Sequence, residues 1–156
     1  MTTFIGDYTC KVDAKGRITL PSAFKKQMDT ASGDHFVVKK DIFEKCLVLY
    51  PFDEWERQNR LIRERINPYN KEHNRFLRNF YKGTAELVLD GNSRLLLPKR
   101  LLDLVEISKE VIMAGQDGKI EIWAKHLYEQ IGESEEDFAG LAEKIMSNPE
   151  DEAKQG

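Results

Sequence analysis

Two stretches of this 156-residue chain are nearly the same text. Residues 12–21 read VDAKGRITLP and residues 89–98 read LDGNSRLLLP, 77 positions apart. Both fit apolar-D-x-x-x-R-apolar-x-L-P, which pairs Asp13 with Asp90, Arg17 with Arg94, Leu20 with Leu97 and Pro21 with Pro98. Upstream, Phe4 aligns with Tyr81 and Gly6 with Gly83. Downstream the offset falls to 73, and LVLYPFDEWER (47–57) lies over IEIWAKHLYEQ (120–130), setting Tyr50 on Trp123 and Trp55 on Tyr128. The four lost positions are expected around Thr30–His35, a polar stretch where length changes cost little. A repeat constrains architecture before any local propensity does. Each unit spans about 55 residues, near the lower limit for burying a core alone, so the halves are expected to share one core.

Within each unit, Phe4–Val12 has the β-rich look of a strand. DAKG (13–16) reads as a turn: Asp13 can accept backbone N–H groups two residues on, and Gly16 permits positive φ. Arg17–Leu20 resumes the strand, which makes a hairpin-like β-loop-β unit. In the second copy the loop is DGNS (90–93), with Gly91 and Asn92 as the permissive residues. Pro21 and Pro98 stop the strands, and each suits the opening of a short helix. Further strands are expected at His35–Lys39, Leu47–Tyr50, Val111–Ala114 and Lys119–Trp123, the last two joined by the turn GQDG. A helical insert lies between the repeats, with Trp55, Ile62 and Ile66 on one face and a break at NPYN (67–70). Gly83 is placed to cap its second helix. Ser134-x-x-Asp137 resembles a capping box opening a helix striped by Phe138, Leu141 and Ile145. Residues 148–156 are polar and acidic, and disorder is expected there.

Charge is segregated. Net charge is +2 over residues 1–50, +4 over 51–100 and −9 over 101–156, against −3 for the whole chain. The first hundred residues can therefore face a polyanion while the acidic end points elsewhere. The insert adds Arg57, Arg60, Arg63, Arg65, Arg75 and Arg78, some of which can pair with Glu along the helix. No run of 18 apolar residues exists, so no membrane span is expected. The start, MTTFIGDYT, lacks the basic and apolar regions of a signal peptide, which points to the cytoplasm. Cys10 and Cys46 are expected reduced and buried.

Catalysis finds no footing: there is no G-x-S-x-G, P-loop or dinucleotide fingerprint. His35, His73 and His126 are far apart and sit in polar segments, and no Cys/His spacing suggests zinc. No catalytic residue, metal, cofactor or small-molecule substrate is expected. Arg17 and Arg94 carry more weight. An arginine just past a tight turn presents a planar fork that can grip a phosphate, or guanine O6 and N7, with two hydrogen bonds. Lys11, Lys15, Lys25 and Lys26 surround the first copy, and Lys99 and Arg100 follow the second. The same spacing equally allows an Asp–Arg bridge that braces each turn, and the two readings are compatible.

Two D-x-x-x-R motifs, each followed by apolar-x-L-P and separated by LVLYPFDEWER, closely resemble the MraZ family of bacterial transcriptional regulators, over roughly residues 4–146. The resemblance implies an α+β fold: two tandem AbrB-like β-loop-β units (4–57 and 81–130) form a compact barrel-like domain. A helical insert (58–80) lies between them, and a C-terminal helix (131–147) and a disordered acidic tail (148–156) follow. It implies a ring-shaped homo-oligomer, nucleoid-associated in the cytoplasm, that binds tandem promoter repeats in double-stranded DNA at the division and cell-wall gene cluster. Carried over by position, Arg17, Lys15, Arg94 and Lys11 become the DNA-facing residues, with Asp13, Gly16, Pro21, Asp90, Gly91 and Pro98 as motif and turn residues. DGNS lacks the lysine of DAKG, so the second loop is expected to bind phosphate more weakly. The alternatives are an antitoxin-like interaction module, or a scaffold without specific DNA binding.

Overall fold

The computed structural model describes residues 2–28 and 33–147. The 148–156 tail, where disorder is expected, lies outside the described residues. The strands are β1 (Asp7–Lys11), β2 (Arg17–Thr19), β3 (His35–Lys40), β4 (Leu47–Pro51), β5 (Ala85–Val88), β6 (Arg94–Leu96), β7 (Glu110–Gln116) and β8 (Lys119–Ala124). The helices are α1 (Ser22–Gln27), α2 (Phe52–Arg65), α3 (Lys71–Tyr81), α4 (Lys99–Leu104), α5 (Lys125–Tyr128) and α6 (Glu135–Met146). The fold is mixed α+β and its strand pairings are antiparallel.

The expected hairpins do not form as written. β1 does not run beside β2; it pairs with β7, and β5 correspondingly pairs with β3. β2 and β6 pair with each other as a separate two-stranded ribbon. Only the root of the first hairpin survives, as the single bridge Val12↔Ile18. The physical reason is size. Neither half buries a core by itself, and lending the first strand to the other half joins both into one apolar cluster. That cluster takes Phe4, Ile18 and Phe36 from one repeat and Leu95, Met113 and Ile122 from the other.

The large sheet runs β1-β7-β8-β4-β3-β5. Its ends, β1 and β5, are not paired to each other, so strand pairing does not close the barrel-like form expected. The ribbon instead lays its inner face, Ile18 and Leu95, on the core, where both are 1 % exposed. The sheet order is a palindrome under the repeat. At its centre Val48 faces Glu121, and in the ribbon Ile18 faces Leu95. Each of these pairs consists of equivalent positions, so a pseudo-two-fold axis relates the halves.

Register also corrects the length bookkeeping of the repeat. Val37 faces Tyr50 in the first hairpin, and Ile112 faces Trp123 in the second. The second hairpin is therefore two residues shorter, and only the other two lost positions fall between α1 and β3. The longer β3–β4 turn is held by Asp41, whose carboxylate accepts from the Phe43 and Glu44 N–H groups at 3.1 and 2.9 Å. The shorter one turns at Asp117, which adopts φ 56°. Beside it Gly115 has no room for a side chain: a Cβ would meet the Phe4 carbonyl oxygen at 2.4 Å.

The aromatic pairs found by alignment are real contacts in both halves. Tyr50 and Trp55 rings lie 5.5 Å apart, and Trp123 and Tyr128 rings 6.2 Å apart. Trp55 also stacks on Phe80 and meets Tyr81 edge-on, which fixes α3 against α2. Asn59, which the apolar periodicity does not reveal, is buried on the same face; its amide donates to the Trp55 carbonyl and it accepts from the Tyr81 hydroxyl. Between the two helices Asn70 caps α3, accepting from the Glu72 and His73 N–H groups. Ser134 caps α6 by accepting from the Asp137 N–H at 3.1 Å, the forward half of the expected box. Cys46 is buried and Cys10 half-buried; both are free thiols.

Candidate nucleic-acid interface

Each D-x-x-x-R loop is built by its aspartate. Asp13 Oδ1 accepts from the N–H groups of Lys15 and Arg17 at 2.9 and 2.8 Å. Asp90 Oδ1 accepts from those of Asn92 and Arg94 at 2.8 and 2.9 Å. The second carboxylate oxygen takes the arginine Nε, at 2.7 Å in the first loop and 3.0 Å in the second. Donation from the arginine backbone N–H is the leading reason both carboxyls sit below the usual carboxylate range. The aspartates therefore stay ionised at neutral pH, and each arginine is held in one orientation.

The bracing bridge thus exists, and it leaves the arginine fork in use only at Nε. The terminal nitrogens of Arg17 and Arg94 have no partner among the described residues. Their side chains are 28 % and 29 % exposed. An end-on grip on a phosphate or a guanine edge remains open to both.

The ribbon brings the two arginines together. Arg17 faces Leu96 and Arg94 faces Thr19. Because side chains alternate along a strand, Arg17, Thr19, Arg94 and Leu96 share the outer face while Ile18 and Leu95 point into the core. Leu96 is 56 % exposed there. Nothing in the linear sequence announces this pairing, since the two motifs meet only through the exchange between halves.

Each loop is also anchored by the other repeat. The Gly16 carbonyl accepts from the Leu97 N–H at 3.0 Å, and the Ser93 carbonyl accepts from the Leu20 N–H at 2.8 Å. Gly16 adopts φ 87°, as expected. In the second loop the left-handed position is Ser93, at φ 60°, and not Gly91 or Asn92. The repeat itself held the clue, since Ser93 aligns with Gly16 at offset 77. Lys25 Nζ donates to Ser93 Oγ at 2.7 Å, so one cation near the first loop secures the second.

The remaining candidate residues divide. Lys15 is exposed at the tip of the first loop, where the second has Asn92. Lys11 sits on β1, across from Glu110 in the large sheet and off the ribbon. Pro21 and Pro98 are the N-caps of α1 and α4, directly after the ribbon strands. Arg100 donates Nη1 to the Gly83 carbonyl at 3.0 Å. The histidines do not converge: His35 stacks on Phe52, His73 accepts from the Asn67 N–H, and His126 lies 3.6 Å from Glu106. Among the described residues no group of three or more His, Cys, Asp or Glu is arranged to hold a metal ion, and no helix is long and apolar enough to cross a membrane.

The sequence has relatives. The family model described as "MraZ protein, putative antitoxin-like" matches twice, over residues 3–79 and 80–148. The chain is 44 % identical over 153 residues to the transcriptional regulator MraZ of Christiangramia forsetii, covering 95 % of this chain and 96 % of that protein. It is 40 % identical over 153 residues to the protein of the same name from Flavobacterium psychrophilum, covering 97 % of each. The Bacteroides fragilis protein of that name is 38 % identical over 146 residues, covering 94 % of this chain and 92 % of its own. Two matches that divide the chain at residues 79 and 80, together with relatives matched almost end to end, establish that this chain belongs to the MraZ family.

Proposed function

We propose that the protein is a sequence-specific DNA-binding transcriptional regulator whose β2–β6 ribbon enters the major groove. The carrying observation is the outer face of that ribbon, where Arg17 and Arg94 stand together, each oriented by its own aspartate. The major groove admits a two-stranded ribbon, and a two-pronged arginine contact to guanine discriminates by about 1–3 kcal/mol. Ion-paired arginines bring little net charge, so attraction to phosphate falls to Lys15 and neighbouring lysines. The family relationship and the names of the relatives support the regulator role.

In this reading the halves are AbrB-like units and the domains follow the boundaries given above. One ribbon per chain is too weak for operator-level affinity. A ring of several chains on tandem promoter repeats supplies the rest through effective concentration, at the division and cell-wall gene cluster, in the cytoplasm and on the nucleoid. No catalysis is part of the reading.

The test is fluorescence anisotropy of a labelled duplex carrying the repeats upstream of this protein's own gene. Binding that is tight, weakens with salt and is lost on a scrambled duplex is expected. Shifting repeat spacing by half a helical turn should abolish the avidity and spare one-repeat binding. Weak, salt-insensitive binding to every duplex would leave the antitoxin-like or scaffold reading in its place.

A further inference from the structure

Helix α6 is folded yet covers nothing. None of its residues is buried, and Phe138, Leu141, Ile145 and Met146 are 64, 41, 66 and 81 % exposed. At 3.6 residues per turn the first three form one stripe, and Glu135 and Asp137 border it on opposite sides. A helix of 12 residues is marginal in water without a packed face. Its stripe calls for an apolar groove and its flanks for cations.

Such a groove lies between α3, α4 and the β3–β4 turn. Its apolar walls include Ile42 and Leu104, 52 and 53 % exposed, and Phe76, 44 % exposed, with Phe80 beneath. Lys82 and Arg100 also line it. The telling residue is Lys39. Its side chain lines the groove and is only 4 % exposed, and its Nζ lies 4.1 Å from the centre of the Phe80 ring. It has no ion pair among the described residues. Asp41 on the same groove is a carboxylate close enough to act on it without forming an ion pair. A buried ammonium is costly, and a further acid brought into the groove would relieve it.

We propose that α6 docks in this groove on a second copy of the chain, its apolar stripe against Ile42, Phe76 and Leu104 and an acidic flank toward Lys39. Charge complementarity selects this occupant: α6 carries Glu135, Glu136, Asp137 and Glu143 against the single Lys144, and the groove is lined by Lys39, Lys40, Lys82 and Arg100 against the single Asp41. Two different surfaces of the chain meet, so the contact is heterologous and propagates from copy to copy until it closes. The inference deepens the assembly part of the function proposed above and is read without DNA.

The experiment uses the full chain and sedimentation velocity. Phe138→Asp breaks the helix surface and Leu104→Asp breaks the groove. Both sites are exposed, so circular dichroism and the melting temperature should not change; Ile145→Lys and Ile42→Lys serve if either variant misfolds. Wild type should assemble, and each variant alone should lose at least half the assembled mass. A one-to-one mixture of the two variants should regain a heavier species containing both, because one intact helix meets one intact groove. An assembly unaffected by either variant, or a mixture that stays as two separate light species, would overturn the docking while leaving the ring intact. A monomeric wild type would overturn the docking and the ring together and leave DNA binding to be judged on its own.

Discussion

The two D-x-x-x-R loops share one hydrogen-bond pattern and differ in charge. Asp13 and Asp90 make the same three contacts, to the same positions, within a few tenths of an ångström. The aspartate and arginine are the side chains common to both, since DAKG and DGNS reach the same pattern with different intervening residues. What varies is the tip: Lys15 in one loop, Asn92 in the other. The left-handed residue also varies, glycine in one and serine in the other. Shape is common to both halves, and the lysine at the tip belongs to the first alone.

The largest expected effect breaks the first loop. Arg17→Ala should cost about ten- to a hundredfold in DNA affinity per contact, as for one lost two-pronged base contact. The fold should survive, because Asp13 keeps its two backbone donors. Anisotropy alongside thermal melting checks both halves of this statement. Arg94→Ala should cost less, because the tip of that loop carries Asn92 where the first carries Lys15; an equal or greater loss would reverse the ranking.

Conformation can be tested apart from charge. Gly16→Ala places a Cβ 3.2 Å from the Leu97 carbonyl oxygen at φ 87°. It should destabilise by about 1–2 kcal/mol, the cost of a left-handed non-glycine residue. Ser93→Gly relaxes the same backbone position while losing the bond from Lys25, and the two effects should nearly cancel. Thermal denaturation of both variants shows whether the loops are conformationally equivalent.

Exchanging the tips sharpens the charge comparison. Lys15→Asn should reduce the slope of log affinity against log salt by about 0.9, one phosphate contact, and Asn92→Lys should add a similar amount. The smallest effect concerns acid. Both aspartates have folded pKa values below the ordinary carboxylate value. Their stabilising contribution is therefore complete above about pH 4 and lost as pH falls through the lower folded value. The double variant Asp13→Asn, Asp90→Asn should flatten the acid limb of a stability–pH profile by lowering the neutral plateau, with the acid end little changed.

Much of the local structure was legible. The turns, the prolines that open α1 and α4, the break at 67–70 and the cap at Ser134 all follow from short-range chemistry, which the sequence states directly. The shared core was legible too, from the small size of each repeat. Strand partners were not. A β-loop-β pattern looks the same whether its strands pair with each other or with another half, because alternation reports which face is buried and not which neighbour bonds. The position of Ser93 was open to alignment but hidden from residue type, since glycine and asparagine in DGNS drew the turn to themselves.

The functional residues divide along the same line. By itself the sequence determined that an aspartate stands four positions before each of two arginines, that the first loop carries the extra lysine, and that the chain is a tandem repeat, because these are properties of residues a few positions apart or of the text itself. Only the tertiary structure decided that Arg17 and Arg94 stand on one face, that Lys11 is off it, and that Lys39 lies buried beside an open groove with no ion pair among the described residues. Those facts depend on which strand each half lends to the other, and that exchange is settled by burying one core large enough to hold both.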